Sequence, residues 1–224
     1  IAHAAGAQLW VDGVHYVPHV AVDLDALGAD YFVTSPYKYF GPHTGVLAAR
    51  PEALEELHPD KLTFSYETVP ERFELGTLPY EALPGTTAAV DYIASLAPAS
   101  VGAGASRRER IVAAMHAMDE YELQLRDIVE QGIADIAGVT CYSRAARRTP
   151  TLLLSFEGIS APDAAERLRD RGFIAIASHF AAIELSKALG LGDAGGVRFG
   201  IAPYNTVDEM ERLVEAVREV AASR

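Results

Sequence analysis

"ADYFVTSPYKYFGPHTG", Ala29 to Gly45, is the stretch on which the reading of this chain turns. Its apolar run "YFVTS" (Tyr31–Ser35) is short and rich in aromatic and β-branched residues, which predicts a buried strand. Directly after it Lys38 stands between Tyr37 and Tyr39, and Gly41-Pro42 signals a turn. A solvated lysine needs no such setting. Working outward, "AQLWVD" (Ala7–Asp12) predicts an earlier buried strand ending on an acid. Between the two, "DLDALGAD" (Asp23–Asp30) predicts a short helical turn stopped by Gly28. Strand, helix, strand is a βαβ unit, whose crossover makes its strands parallel. "TGVLAAR" (Thr44–Arg50) reads as a third strand, and "EALPGTTAAVDYIASL" (Glu81–Leu96) as a helix with Pro84 and Gly85 near its start.

The small, glycine-containing segment "LAPASVGAGAS" (Leu96–Ser106) predicts a linker. Ser106 and Glu109 then form a capping-box pattern opening a long helix with Ile111, Met115, Met118, Leu125 and Ile128 near helical spacing. Strands near "VTCYS" and "TPTLLLSFE" follow, then a helix from Pro162 to Arg171 and a short strand "FIAIA". A loop, another short helix and a strand in "GVRFGIAPY" come next. The last helix begins at a second capping box, Thr206 with Glu209, and carries Met210, Leu213, Val214, Val217 and Val220 on one stripe. The expected fold class is therefore α/β. Residues 1–95 form a sheet-based lobe, 96–105 the linker, and 106–224 a smaller αβ lobe.

Composition narrows the function. The 224 residues are 50% hydrophobic, enough for real cores. Lys and Arg number 19 against 31 Asp and Glu, a net charge of −12. That field repels polyanions, so nucleic acid and anionic membrane surfaces are not expected partners, whereas a local positive group can still hold a small anion. Cys141 is the one cysteine in the sequence, which rules out an intrachain disulfide and fits a reducing, cytoplasmic setting. No apolar run reaches the roughly 18–20 residues that span a bilayer, and no secretory signal pattern is present. The chain opens on Ile1 as though inside a helix, so a fragment is expected.

Asp12 and Lys38 carry the chemistry. Each follows a strand of the same βαβ unit, so both should emerge on the carboxyl rim, where α/β sheets bind ligands. An acid able to hold a proton on a ring nitrogen and a lysine able to form a Schiff base are what pyridoxal phosphate requires of a protein. A free lysine, with a pKa of about 10.4, is a poor nucleophile at neutral pH, and an imine removes that handicap. On spacing alone, an acid and a lysine 26 residues apart read more readily as a loop cap and a surface residue.

Four segments, "VDGVHYVPH", "ADYFVTSPYKYFGPHTG", "RFELGT" and "VRFGIAPYNT", occur in an order and at spacings that resemble the class V aminotransferase family, most closely its cysteine-desulfurase-like branch. The resemblance covers essentially the whole chain, as the C-terminal half to two-thirds of such an enzyme. It implies the pyridoxal-phosphate-dependent transferase fold of type I. Residues 1–95 would be the remainder of the large cofactor-binding domain and 106–224 the small C-terminal domain. It implies pyridoxal 5'-phosphate as cofactor, held by Lys38 as a Schiff base, with Asp12 at the pyridine nitrogen. By the same resemblance His15 bonds the phenolic oxygen, Ser35 bonds the phosphate, and Thr77 reaches the phosphate across a homodimer interface with a shared active site. Arg198 matches the arginine that grips the carboxylate of a small amino-acid substrate, a task suited to a planar guanidinium fork. Lys38 would also move the substrate's α-proton.

Departures from the pattern bear on the reaction. Desulfurases and many aminotransferases of this class place a histidine just before the lysine, and here that position is Tyr37. "IASHFAAIEL" (Ile176–Leu185) aligns with the segment that carries the desulfurase cysteine, yet contains none. Persulfide chemistry needs a mobile thiolate, and Cys141, on a predicted strand, reads as a small core hydrophobe. Three functions stay open: an aminotransferase-like enzyme, a cysteine or selenocysteine lyase using another thiol acceptor, and a catalytically silent dimerisation fragment. The family's N-terminal half, with a further phosphate loop and a ring that stacks on the cofactor, lies outside this sequence. No metal is expected. His15 and His19 have helical pair spacing, but Pro18 disrupts that helix and no HExxH glutamate exists. His179 is a candidate substrate contact and His43 a turn residue near the cofactor rim. "GLGDAGG" (Gly190–Gly196) precedes a strand and reads as a turn.

Overall fold

The structure, a computed structural model, describes residues Ile1 to Ser223. It contains two compact units, Ile1–Ala117 and Met118 onward.

The first unit holds a sheet of β1 (Trp10–Asp12), β2 (Tyr31–Thr34) and β3 (Val46–Ala49), in that order. β1 and β2 are parallel, with Asp12 opposite Val33, as the βαβ pattern requires. The crossover contains α1 (Leu24–Leu27), which Asp23 caps by accepting from the Ala26 N–H and which Gly28 ends in the left-handed region at φ 65°. β3 runs antiparallel to β2, with Thr34 opposite Val46, because the connection 35–45 is too short for a parallel crossover.

Tyr31 and Phe32 are buried, and the Tyr31 hydroxyl donates to the Ala53 carbonyl of α2 (Pro51–Glu55) at 3.1 Å. The Phe32 ring lies against Gly13, where an added Cβ would fall 2.0 Å from the ring carbon Cζ. Gly13→Ala is therefore expected to lower stability by roughly 1–3 kcal/mol, the range for forcing extra volume into a packed site. A urea titration checks this; an unchanged midpoint would mean the ring moves freely.

A long irregular stretch then leads to α3 (Ala82–Ser95). Arg72, nearly buried, organises it by donating to the carbonyls of Glu55, Leu57 and Glu67 and pairing with the Glu55 carboxylate at 2.9 Å. One fixed fork of donors thus replaces the backbone pairing that regular structure would supply. α4 (Arg107–Ile133) starts at the predicted capping box, where Ser106 N–H donates to Glu109 at 2.7 Å and Glu109 N–H donates to the Ser106 hydroxyl at 3.2 Å. The boundary between the two units falls inside this helix.

The second unit is built on β4 (Val139–Cys141), β5 (Thr151–Phe156), β6 (Ile176–Ser178) and β7 (Gly196–Gly200). Their order is β4-β5-β7-β6, with every neighbouring pair antiparallel. Leu152, Leu154 and Phe156 alternate with half-buried residues along β5, the signature of a sheet covered on one face. That face is closed by Leu125 and Val129 of α4, Leu168 of α5 (Ala161–Asp170), and Val217 and Val220 of α7 (Val207–Ala222). Cys141 packs half-buried against this core, the setting of a small hydrophobe. Among the described residues no helix is long and apolar enough to cross a membrane.

α7 begins at the second predicted capping box, Thr206 with Glu209. The Thr206 N–H first, then the Asn205 amide, hold the Glu209 carboxyl below its usual 4.5. A lowered folded value means that this group's stabilisation is complete above the unfolded pKa, near 4.3, and disappears as pH falls through the folded value. Glu209→Gln is expected to lower stability at pH 7 and to flatten the acid limb of a stability-versus-pH curve, because the mutant has no such stabilisation left to lose as pH falls. An acid limb identical to that of the parent protein would remove Glu209 from the pH dependence.

Candidate active site

The parallel register fixes where the sequence-predicted site residues of the first unit lie. Asp12 ends β1 opposite Val33 of β2, and Ser35 follows β2 directly, so Asp12, Ser35 and the turn carrying Lys38 share the carboxyl edge of this strand pair. Asp12 accepts from the Val14 N–H through Oδ1 at 3.0 Å, which orients the carboxylate and leaves its second oxygen for another donor. The Gly13 N–H donates to the Val33 carbonyl at 2.9 Å and extends the pairing one residue past Asp12.

The turn at Lys38 explains its neighbours. Pro36–Tyr39 form one 3-10 helix with Ser35 at its N-cap, and the three-residue period buries Pro36 and Tyr39 while exposing Tyr37 and Lys38. Burial pushes the Tyr39 phenol upward, opposed by the Thr34 side chain. Tyr37 stacks on His43 at 4.9 Å and lies 5.9 Å from the Lys38 amine. Gly41 reverses the chain so closely over Pro36 that a Cβ would meet the Pro36 ring at 2.8 Å. Phe40, left-handed at φ 68°, meets Tyr92 of α3 edge-on at 5.3 Å, and Gly85 of the same helix lies against Pro42. Tyr39 and Pro36 are the anchors; Lys38 is what they present.

The sequence contains three lysines, and their settings differ. Lys61 pairs with Glu67 at 2.7 Å and Lys187 with Glu184 at 3.3 Å. Among the described residues Lys38 has no acid partner. His15 follows Asp12 in an exposed turn, with its ring edge-on to His19 at 5.4 Å. Thr77 sits exposed after Gly76 (φ 81°) in the irregular stretch before α3.

Arg198 belongs to the second unit. It lies in the middle of β7, opposite Leu153 of β5 and Ile176 of β6, on the sheet face away from the core. Among the described residues no hydrogen bond or ion pair engages its guanidinium, which lies 3.9 Å over the Phe180 ring. The loop that delivers this ring is unusual. Phe180 and Ala181 are both left-handed, at φ 52° and 62°, a conformation that costs on the order of 1–3 kcal/mol for each such residue. Local hydrogen bonds hold it: Phe180 N–H to the Ser178 hydroxyl, Ala181 N–H to His179 Nδ1, and Ala182 N–H to the His179 carbonyl. Gly195, with φ 66°, lies so near Ser178 that a Cβ would fall 2.0 Å from its carbonyl oxygen.

The family model of aminotransferase class V matches residues 1–213. The chain belongs to the class V aminotransferase family. Within it, a probable cysteine desulfurase of Pseudomonas putida is 32% identical over 96% of this chain and 52% of its own length. An aminotransferase-like protein of Gibberella zeae is 30% identical, over 96% of this chain and 52% of its own. Among solved structures, a cysteine desulfurase from Escherichia coli superposes with a TM-score of 0.80 at 25% identity, covering 99% of this chain and 53% of that one. The fold is therefore that of the pyridoxal-phosphate-dependent cysteine desulfurases. The chain spans between about a third and about half of the length of the curated relatives it matches.

The donor set at the first unit's edge fits the cofactor of this family. It offers a carboxylate with a free oxygen, an unpaired primary amine and a hydroxyl at Ser35 within one strand pair and its turn. Sequence reasoning missed the Phe180 platform. Left-handed residues are ordinarily marked by glycine or asparagine, and "SHFAA" contains neither, so no local signal announces the turn.

Proposed function

We propose that this class V aminotransferase-family chain is the cofactor-holding part of a pyridoxal-phosphate-dependent enzyme acting on a small amino acid. The observation that carries the proposal is the pairing of Asp12 with Val33, which puts an acid and the unpaired Lys38 at one carboxyl edge. When bound, pyridoxal 5'-phosphate supplies an electron sink for charge developing at the substrate's α-carbon. Asp12 would hold a proton on the pyridine nitrogen with the oxygen that Val14 leaves free. Lys38 would hold the cofactor through Nζ and later move a proton at the substrate's α-carbon. His15 would bond the phenolic oxygen, Ser35 the phosphate, and Arg198 the substrate carboxylate.

Transamination-like chemistry is favoured over desulfuration by the segment 176–185, which contains no cysteine, and by the half-buried position of Cys141. A lyase using an external thiol is the second reading, and the desulfurase names of several relatives favour it. Sulfide released from cysteine by the whole enzyme, and retained in Cys141→Ser, would select that second reading.

The same proposal includes a homodimer. Leu62, Phe64, Tyr66, Leu75 and Tyr80 are all exposed in the irregular stretch that also bears Thr77, with Phe64 at 86%. So many large apolar side chains on one segment are more than an isolated surface normally shows, and a second copy that takes the Thr77 hydroxyl would cover them. Sedimentation of the cofactor-loaded enzyme is expected to give a dimer; a stable monomer that still holds cofactor would refute this arrangement.

A further inference from the structure

Beside Arg198 the second unit contains a hollow of about 180 Å³, lined by Leu153, Phe180, Leu185, Leu189 and Leu191 and reaching the guanidinium itself. For scale, a cavity of ~150 Å³ lined by aliphatic and aromatic side chains accommodates benzene. Of the polar groups of its wall, the two serine hydroxyls and one ring nitrogen of His179 are engaged by neighbouring backbone. The Ser186 hydroxyl donates to the Gly192 carbonyl at 2.6 Å, the Ser178 hydroxyl accepts from Phe180 N–H, and His179 Nδ1 accepts from Ala181 N–H. Phe180 covers one face of the guanidinium, so the N–H groups at its edge are what it has left to offer. At Gly196 the missing Cβ, which would fall 2.8 Å from Leu153 Cδ1, lets that leucine lie across the strand as part of the wall. The hollow thus presents the Arg198 guanidinium at its margin, the His179 ring in its wall, and mostly aliphatic and aromatic surface elsewhere.

We infer that this hollow is a side-chain subsite, and that the substrate is an α-amino acid with an apolar, branched or linear aliphatic side chain. This rests on the assignment of Arg198 to the substrate carboxylate. A carboxylate on the edge of the Arg198 fork brings the rest of the molecule to the margin of the hollow, where an aliphatic tail gains by leaving water. An acidic side chain would find no lysine or second arginine among the lining residues and would desolvate its charge against leucines, and a short thiol would leave most of the space unfilled.

The test uses amine-free carboxylates, which bind without reacting. The cofactor-loaded enzyme is titrated calorimetrically with acetate, butanoate, 4-methylpentanoate and succinate. Affinity is expected to rise about fourfold per added methylene or methyl group across the first three compounds, the value of burying one such group. Succinate is expected to bind no better than acetate. Arg198→Gln should abolish measurable binding of the series. Leu185→Gln, at a side chain exposed enough for the fold to tolerate, should flatten the rise and leave acetate unaffected. Equal affinity across the aliphatic series, succinate as the tightest ligand, or no binding at all would overturn the inference. A flat series in an enzyme that attaches cofactor at Lys38 refutes the subsite alone. The expected series in a protein that attaches none upholds the subsite and refutes the cofactor assignment.

Discussion

Replacing Lys38 by alanine is expected to abolish covalent attachment of pyridoxal phosphate and, with it, the Schiff-base absorbance of the loaded enzyme. Turnover should fall by at least about 10⁴-fold, since proton transfer by a positioned side chain alone contributes roughly 10²–10⁴ and this residue would supply the attachment as well. Thermal stability of the unloaded protein should change little, because Lys38 is exposed and, among the described residues, makes no ion pair while Pro36 and Tyr39 bury the turn. That separation makes the experiment decisive: a folded, inactive protein without the Schiff-base band is the expected result. Visible absorbance surviving unaltered in Lys38→Ala would place the attachment elsewhere.

Arg198→Gln is expected to lower kcat/KM for the amino-acid substrate by roughly 30- to 5,000-fold, the 2–5 kcal/mol lost when one partner of a hydrogen-bonded charge pair is truncated. The loss should appear mainly as a raised KM, with cofactor attachment at Lys38 untouched. Arg198→Lys should recover only part of it. A lysine keeps the charge but not the bidentate fork, and it stacks less well on the Phe180 ring found 3.9 Å from the guanidinium. If Arg198→Gln instead impairs cofactor attachment while KM holds, the arginine serves the cofactor and not the substrate.

The parts of the fold that rest on local signals were legible in the sequence. The two capping boxes, at Ser106 and Thr206, are written in side chains three residues apart and form as expected. The alternation along β5 and the stripe on α7 carry their own periodicity. The parallel pairing of β1 and β2 followed from a strand, a short helix and a second strand. What was not legible depends on contacts between distant residues. Gly13 looks like any loop glycine until the Phe32 ring is seen against it. Arg72 looks like a surface charge, yet it ties together carbonyls 5 to 17 residues away. Phe180 is the sharpest case, because its left-handed backbone is imposed by the hydrogen bonds of Ser178 and His179 and by the close approach of Gly195, not by its own chemistry. The sequence could therefore nominate Arg198 through its motif but could not show the aromatic platform or the apolar hollow beside it.

Reductive trapping tests the central claim most directly. The loaded enzyme is treated with borohydride, digested, and the peptides mapped for a pyridoxyl adduct. The expected adduct lies on Lys38, in the peptide containing "SPYKYFGPHTG", and attachment should weaken in Asp12→Asn, whose amide cannot hold the pyridinium proton as a carboxylate does. An adduct on Lys61 or Lys187, or none, would contradict the assignment of this edge as the cofactor site.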